Sequence, residues 1–398
     1  MISVELARER VLAGVRPVGN EQVSVAQAVD RILAEDVAAR VSHPPVTVSA
    51  MDGYAVRAAD VQTVPATLSL IGESAAGRAF GGRVEAGQAV RIFTGAPLPD
   101  NADAVVIQEN TQKDGDRITV LEGASAGTFI RRAGLDFAAG EVLIKAGRRL
   151  GARDIGLVAA MNVPWLMVRR RPRVAILSTG DELVMPGDPL GPSQIIGSNG
   201  PALAAFVTAR GGEPILLGTA LDSTESLRAM AAGARGADLL VTSGGASVGD
   251  YDLVQSALGE IGLKVDFYKI AMRPGKPLMF GNVGDVPVLG VPGNPVSALV
   301  CAYVFLGPAM RRMVGQPAEV ETAQAVLTRD LPANDQRQDH LRADLSRQPD
   351  GRLAATPFDR QDSAVMSGLA KADCLVLRPP FAPAARAGDV VDVMLLGD

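Results

Sequence analysis

ADLLVTSGGASVGDYD, residues 237–252, decides how the rest of the chain is read. Asp238 to Val241 has the length of a buried strand, and the turn residues Ser243, Gly244 and Gly245 follow at once. A helical pattern, DLVQSALGEIG, starts near Asp252, so the glycines lie between the carboxyl end of a strand and the amino end of a helix. Open α/β sheets bind ligands at that place. Backbone N–H groups and the positive end of a helix dipole favour an anion there, and Asp250 and Asp252 suit a hard cation. The expected ligand is phosphate-like and metal-bound. The plainer alternative is a tight Gly-Gly turn with aspartates that only cap a helix.

Outward from this stretch, residues 173–315 alternate regularly: VAILSTG, a helix over 198–210, PILLGTALD, a helix over 224–234, DLLVTSGG, a helix over 252–261, VDFYKIAM, PLMFG, VPVLGVPG and a helix over 295–313. Strands and helices in this order predict a doubly wound, largely parallel sheet, placed here at 172–318. On its amino-terminal side, 42–140 alternates short β-type runs (TLSLIGE, AVRIFTG, AVVIQEN, RITVLEG) with Gly, Pro and Asp turns, which predicts a β-rich insertion domain. Residues 1–41 with 141–171 are expected to form a small helical and mixed domain. In it, one helix would run over 3–14 with Val4, Leu6, Val11 and Leu12 buried, and a second over 25–37. Residues 319–398 read as a small β domain. The fold class is thus multidomain, α/β plus β.

With 398 residues the chain is too long for one core. A hydrophobic content of 47% with 21% charged residues describes a folded protein, and a net charge of -5 excludes a typical nucleic-acid binder. The cluster Arg169, Arg170, Arg171 and Arg173 reads as a solvated linker at a domain junction. Two cysteines, Cys301 and Cys374, exclude a thiolate-built metal centre, and two histidines, His43 and His340, argue against a His-based one. Any metal must be held by carboxylates, which points to Mg²⁺. The start MISVELARERVLAG has no sustained apolar stretch, and the apolar run near Val296 to Leu306 is shorter than the roughly 20 residues of a membrane helix. No membrane association and a cytoplasmic location are expected.

In a parallel sheet the loops after successive strands meet at one edge. Here those loops carry Ser178 to Glu182 (with Gly180), Asp222, Ser243 to Asp252, then Lys269, Arg273 and Lys276, and finally Pro292, Gly293, Asn294 and Pro295. Carboxylates, cations and open helix N-termini in one place suit a phosphate ester or oxyanion. Neither GxxxxGK[ST] nor GxGxxG occurs, so an ordinary ATPase or dinucleotide fold is unsupported. A second cluster lies in the β insertion: Ser49 to Tyr54, Phe93 to Pro97, Arg131 and Asp136.

The stretches SAMDGYAV, IFTGAPLP, ADAVVIQE, IRRAGLDFAAG, STGDEL, SNGPAL, TSGGASVGDYD, KIAMRPGKPL, LGVPGNPVSA and RQDSAVMSGL follow one another along the whole chain. In order and spacing they resemble the molybdopterin molybdenumtransferase family, relatives of the E domain of gephyrin. The resemblance implies four domains, with the α/β one similar to molybdopterin adenylyltransferases. It implies a homodimer whose active site is shared between subunits. It also implies a transferase that takes molybdate and adenylylated molybdopterin and releases AMP with help from Mg²⁺. A molybdopterin adenylyltransferase and molybdoenzyme targets are the partners it suggests.

Carried over position by position, the resemblance gives Asp52, Thr94 and Asp136 catalytic places on the β insertion. It gives Glu182, Asp222 and Asp252 the nucleotide and metal site, and Ser247, Lys269, Arg273 and Lys276, with Arg131, the substrate and oxyanion. Arg342, Ser363 and Ser367 match more loosely. The chain departs from the family pattern at Val46-Thr47, at Asp30-Arg31 where Gly-Arg is usual, at Arg273 where many members have Lys, at Ala364 and at Gly368. Two other readings stand beside this one: a stand-alone adenylyltransferase that uses ATP, and a non-catalytic scaffold or cofactor carrier.

Overall fold

A computed structural model describes residues 1–244, 253–260 and 262–397. The chain forms two compact units, Met1–Glu21 with Arg169–Asp398, and Gln22–Val168. The first helix, α1 (Val4–Gly14), is capped by the Ser3 hydroxyl, which accepts the Leu6 N–H at 3.1 Å. It buries Val4, Ala7 and Val11 in one core with Val174, Ile176, Phe280 and Met313. Leu6, expected on the buried face, is exposed, because the stripe that packs runs 4, 7, 11. The helix therefore packs with the α/β elements of its own unit.

In the second unit, residues 25–37 are not the predicted helix but a short 3₁₀ turn (Val25–Gln27) followed by extended chain. Asp30 stands at φ +63°, which no helix interior allows. Beyond it the backbone bonds to another segment, Asp30 N–H to Leu150 O at 2.8 Å and Leu33 N–H to Arg148 O at 2.9 Å. The left-handed backbone also explains why glycine suits this position. These residues share a core with α2 (Ala152–Ala160) that includes Leu33, Phe137, Val158 and Met161. Between them lies a six-stranded sheet of β1 (Gly53–Val56), β2 (Ala66–Ser74), β3 (Gln88–Ile92), β4 (Ala104–Ile107), β5 (Thr111–Asp114) and β6 (Arg117–Val120), in the order β4-β1-β3-β2-β6-β5. Gly53 is required there: a Cβ would lie 2.0 Å from the Val106 carbonyl oxygen.

In the first unit, the predicted alternation is realised as β7 (Arg173–Thr179), α3 (Asn199–Ala209), β8 (Glu213–Ala220), α4 (Thr224–Ala231), β9 (Leu239–Ser243), α5 (Leu253–Glu260), β10 (Leu263–Tyr268), β11 (Met279–Val283), β12 (Val286–Val291) and α6 (Pro295–Met313). The sheet order is β8-β7-β9-β12-β11-β10, parallel across the first four strands and antiparallel in the last two. Helix α6 extends well beyond the run 296–306. By length and composition it could cross a membrane, yet 78% of its most apolar window is buried in the core. Arg170, read from sequence as solvated linker, instead forks onto both oxygens of Asp238 at 2.7 and 2.6 Å, and the same carboxylate accepts the Arg173 N–H at 2.8 Å. The start of β9 is anchored this way.

The remaining strands are β13 (Thr322–Leu327), β14 (Gln338–Arg347), β15 (Leu353–Pro357), β16 (Cys374–Arg378) and β17 (Val390–Leu395), with the short helix α7 (Met366–Lys371) before β16. Their order is β14-β15-β13-β17-β16, and β16 pairs again with β14, so the sheet closes into a barrel. Both cysteines are free and buried, and burial pushes the Cys374 thiol up to about 12.

Candidate active site

The carboxyl ends of the four parallel strands lie side by side, because Ser178 pairs with Thr219 and Ser243, and Ser243 with Val291. Three glycines keep this edge narrow. A Cβ on Gly180 would lie 2.6 Å from a Glu182 carboxylate oxygen, one on Gly244 would lie 2.4 Å from the Thr179 carbonyl oxygen, and Gly293 sits against Gly244. Asn199, at the start of α3, ties two strand ends together: its amide nitrogen donates to Ser243 Oγ at 2.8 Å and to the Gly293 carbonyl at 2.7 Å. The motif SNGPAL pointed to this stretch without singling out Asn199. The buried Thr179 and Thr242 hydroxyls have no hydrogen-bond partner among the described residues.

Acidic residues collect at one side of the edge. The Asp222 N–H donates to an Asp181 carboxylate oxygen at 2.9 Å. Burial, and then the neighbouring charges of Asp181 and Glu182, raise the Asp222 carboxyl above the ordinary range. Asp181 was not among the expected site residues, although it stands between Gly180 and Glu182. Among the described residues no three His, Cys, Asp or Glu side chains are grouped closely enough to hold a metal ion. Gly245, Ser247, Asp250 and Asp252 lie outside the described residues.

The basic residues divide. Lys269 has φ +71° and its ammonium lies 5.1 Å from the centre of the Tyr268 ring; Lys276 is half-buried, with its carbonyl accepting the Ile270 N–H at 3.0 Å. Arg273, expected at the oxyanion, is spoken for. Its Nε donates to Asp339 at 2.6 Å, Nη2 donates to the other Asp339 oxygen, and Nη1 reaches Asp335 at 3.4 Å. Asp339 is buried, so the hydrogen bonds to it hold Arg273 charged. Arg273 thus binds the α/β elements to the barrel, at the rim of a cavity of about 250 Å³ that Arg329 and Arg378 also line.

The barrel contributes a second group. The Asn294 amide nitrogen donates to Ser363 Oγ at 2.8 Å, and the Val296 N–H to the Ser363 carbonyl at 3.2 Å, just where Pro295 opens α6. Pro292 is buried behind this turn. Arg342 is almost completely buried, and its guanidinium donates to Gln361 Oε1 at 3.3 Å and to the carbonyls of Val365 and Arg360 at 2.9 and 3.2 Å. It therefore shapes the loop carrying Ser363 and Ala364 that leads into α7, where Ser367 lies. A Cβ on Gly368 would lie 3.4 Å from Arg342 Nη1.

The second unit carries its own cluster. Asp52 and Thr94 are both exposed, and the Asp52 carboxylate accepts the Thr94 N–H at 2.7 Å and its hydroxyl at 2.8 Å. These two bonds, the backbone one first, hold the Asp52 carboxyl below the usual range. Arg131 lies on a short strand paired with Val48–Ser49, and the Asp136 N–H donates to the His43 carbonyl at 3.0 Å. Among the described residues no hydrogen bond joins either side chain to the Asp52–Thr94 pair. Thr47, at a departure from the family pattern, accepts the Ala133 N–H at 3.4 Å.

The chain matches known proteins along nearly its full length. Residues 2–162 match the MoeA N-terminal region (domain I and II), 175–312 a probable molybdopterin binding domain, and 324–396 the MoeA C-terminal region (domain IV). A protein of Haemophilus influenzae named molybdopterin molybdenumtransferase is 34% identical over 99% of this chain and 98% of its own length. One of Nostoc sp. with the same name is 42% identical over 74% of this chain and 70% of its own. A crystal structure of a molybdopterin biosynthesis MoeA protein from Pyrococcus horikosii superposes with a TM-score of 0.89 at 33% identity, covering 100% of both chains. The predicted multidomain α/β plus β architecture is borne out, and the chain belongs to the MoeA family of molybdopterin molybdenumtransferases.

Proposed function

We propose that the protein is a molybdopterin molybdenumtransferase of molybdenum cofactor biosynthesis, inserting molybdenum from molybdate into adenylylated molybdopterin with release of AMP. The observation that carries this reading is the convergence at one sheet edge of Thr179–Gly180, Asp222, Ser243–Gly244 and Asn294, with the barrel residue Ser363 hydrogen-bonded to Asn294. Close glycines let a phosphate approach the backbone, and the unpartnered Thr179 hydroxyl supplies a polar group beside it.

Asp222, Glu182 and the adjacent Asp181 supply hard oxygen donors, and their mutual repulsion, seen in the raised Asp222 carboxyl, is relieved by a dication. The described acids alone are not grouped closely enough to cage a metal ion; Glu182 and Asp222 together with Asp252 would hold Mg²⁺, which when bound would neutralise pyrophosphate charge. Lys276 and Lys269, with Ser363 and Ser367, would orient molybdate beside the dithiolene, while Arg342 holds the serine loop in place. Water attack on the adenylyl phosphorus breaks its bond to the bridging oxygen, and AMP leaves. The protein is read as a cytoplasmic homodimer in which each subunit completes the other's site through the Asp52–Thr94 cluster. Free buried thiols agree with a reducing compartment. A molybdopterin adenylyltransferase would supply its substrate and molybdoenzymes would accept its product.

The test is anaerobic incubation of the purified protein with adenylylated molybdopterin and Mg²⁺, with and without molybdate, following AMP and protein-bound molybdenum together. AMP appearing in step with molybdenum supports the reading. Bound ligand with neither signal would leave a carrier. Pyrophosphate release from ATP and unmodified molybdopterin would indicate an adenylyltransferase.

A further inference from the structure

Arg91 lies on β3 directly opposite Tyr54 on β1. Its guanidinium stands over two rings at once, 5.1 Å from the centre of Tyr54 and 4.9 Å from that of Phe93. Nη1 donates to the Gly53 carbonyl at 3.1 Å and Nη2 to Gln108 Oε1 at 2.6 Å. Gln108 in turn donates its backbone N–H to the Asp52 carbonyl at 3.2 Å. One half-buried side chain therefore grips the residue after Asp52, the residue before Thr94, and the residue that holds the Asp52 main chain.

We propose that Arg91 is a positioning residue for the reaction: it fixes the backbone entering β1 and leaving β3 so that the Asp52 carboxylate meets both Thr94 donors. The proposal rests on the reading that Asp52 takes part in the reaction. A guanidinium suits the task, since its planar fork reaches two acceptors while its face stacks on aromatic rings. A lysine keeps the charge but neither the fork nor the stacking. After the two Thr94 hydrogen bonds, the positive charge of Arg91 also helps to hold the Asp52 carboxyl low. Its action on the chemistry runs through the Asp52–Thr94 pair, and removing it matters only while that pair is intact.

The experiment compares wild type, Arg91→Met, Arg91→Lys, Asp52→Asn and the Arg91→Met/Asp52→Asn double variant by steady-state AMP release across pH, with circular dichroism of each. Arg91→Met is expected to lower kcat about tenfold with little change in KM and to move the acid limb of the profile to higher pH. Arg91→Lys should recover part of the loss. The double variant should be no more than about twofold worse than Asp52→Asn alone, because both changes strike the same unit. A kcat for Arg91→Met within twofold of wild type beside an impaired Asp52→Asn would overturn the proposal, as would losses that multiply in the double variant. If Asp52→Asn itself keeps full activity, the role of Asp52 falls and the proposal with it. Should Arg91→Met not fold, Arg91→Lys alone and combined with Asp52→Asn gives the same comparison.

Discussion

Arg273 and Asp339 meet as a fork on a carboxylate, with the acidic partner 4% exposed and the arginine reaching it from the short strand Met272–Arg273, which pairs with Gln338 and Asp339. Two bonds to one buried carboxylate are worth more than a surface pair, although the arginine remains partly in water. Asp339→Ala should lower stability by about 1–3 kcal/mol. Arg273→Lys should lose less, keeping the charge and giving up one of the two bonds. Urea denaturation of the two variants checks the order.

Asp222 carries a raised carboxyl because burial and two neighbouring acids oppose its charge. Asp222→Asn should remove Mg²⁺-dependent AMP release by about a hundredfold or more while leaving the far-ultraviolet spectrum unchanged. Titrating Mg²⁺ against AMP release reads the outcome, and an unaltered Mg²⁺ response would remove Asp222 from the site.

His340 is fully buried in β14, and burial lowers its pKa from 6.5 to about 4, while its Nδ1 has no hydrogen-bond partner among the described residues. In the folded protein the ring stays neutral down to about 4, whereas in the unfolded chain it takes up a proton below 6.5. Proton uptake by the unfolded state therefore erodes stability as pH falls from 6.5 to about 4, and not above that window. The expected loss is about 3 kcal/mol, the product of the shift and the free energy per unit. Urea midpoints at pH 7 and pH 4.5 should converge in His340→Gln relative to wild type.

Gly53→Ala should be among the most damaging single-methyl additions in the insertion sheet. The new Cβ would sit 2.0 Å from the Val106 carbonyl oxygen, and main chain on both sides is held in the ladder. A loss of about 3 kcal/mol or more is expected, against about 1 for glycine replaced where space is open. Thermal unfolding of the full-length variant beside wild type would report it.

The central α/β domain was legible because strand and helix periods alternate over most of its length, and because two of its parallel strands run straight into glycine, at Thr179–Gly180 and Ser243–Gly244. Residues 25–37 were misread for a physical reason: VAQAVDRILAEDV has helical spacing, but Asp30 takes a left-handed backbone and hands the following residues to partners near 150. Spacing alone does not report such distant hydrogen bonding. Arg273 was assigned by resemblance to the oxyanion. Its partner Asp339 stands 66 residues away, where no local pattern reveals it. Asn199 and Asp181 lay inside recognised motifs, and only their hydrogen bonds singled them out. Arg91 carries no motif signal beyond its place before IFTGAPLP.

Because α1 packs among Val174, Ile176 and Met313, the earliest helix to leave the ribosome has no partner until the polypeptide has grown far past it. At ordinary elongation rates that wait is roughly ten to thirty seconds before even Val174 is made. During it the whole of 22–168 emerges and can complete its own core. The protein is thus built from the inside of its sequence outward, with Val4, Ala7 and Val11 an apolar stripe that lacks its core partners until the later half arrives.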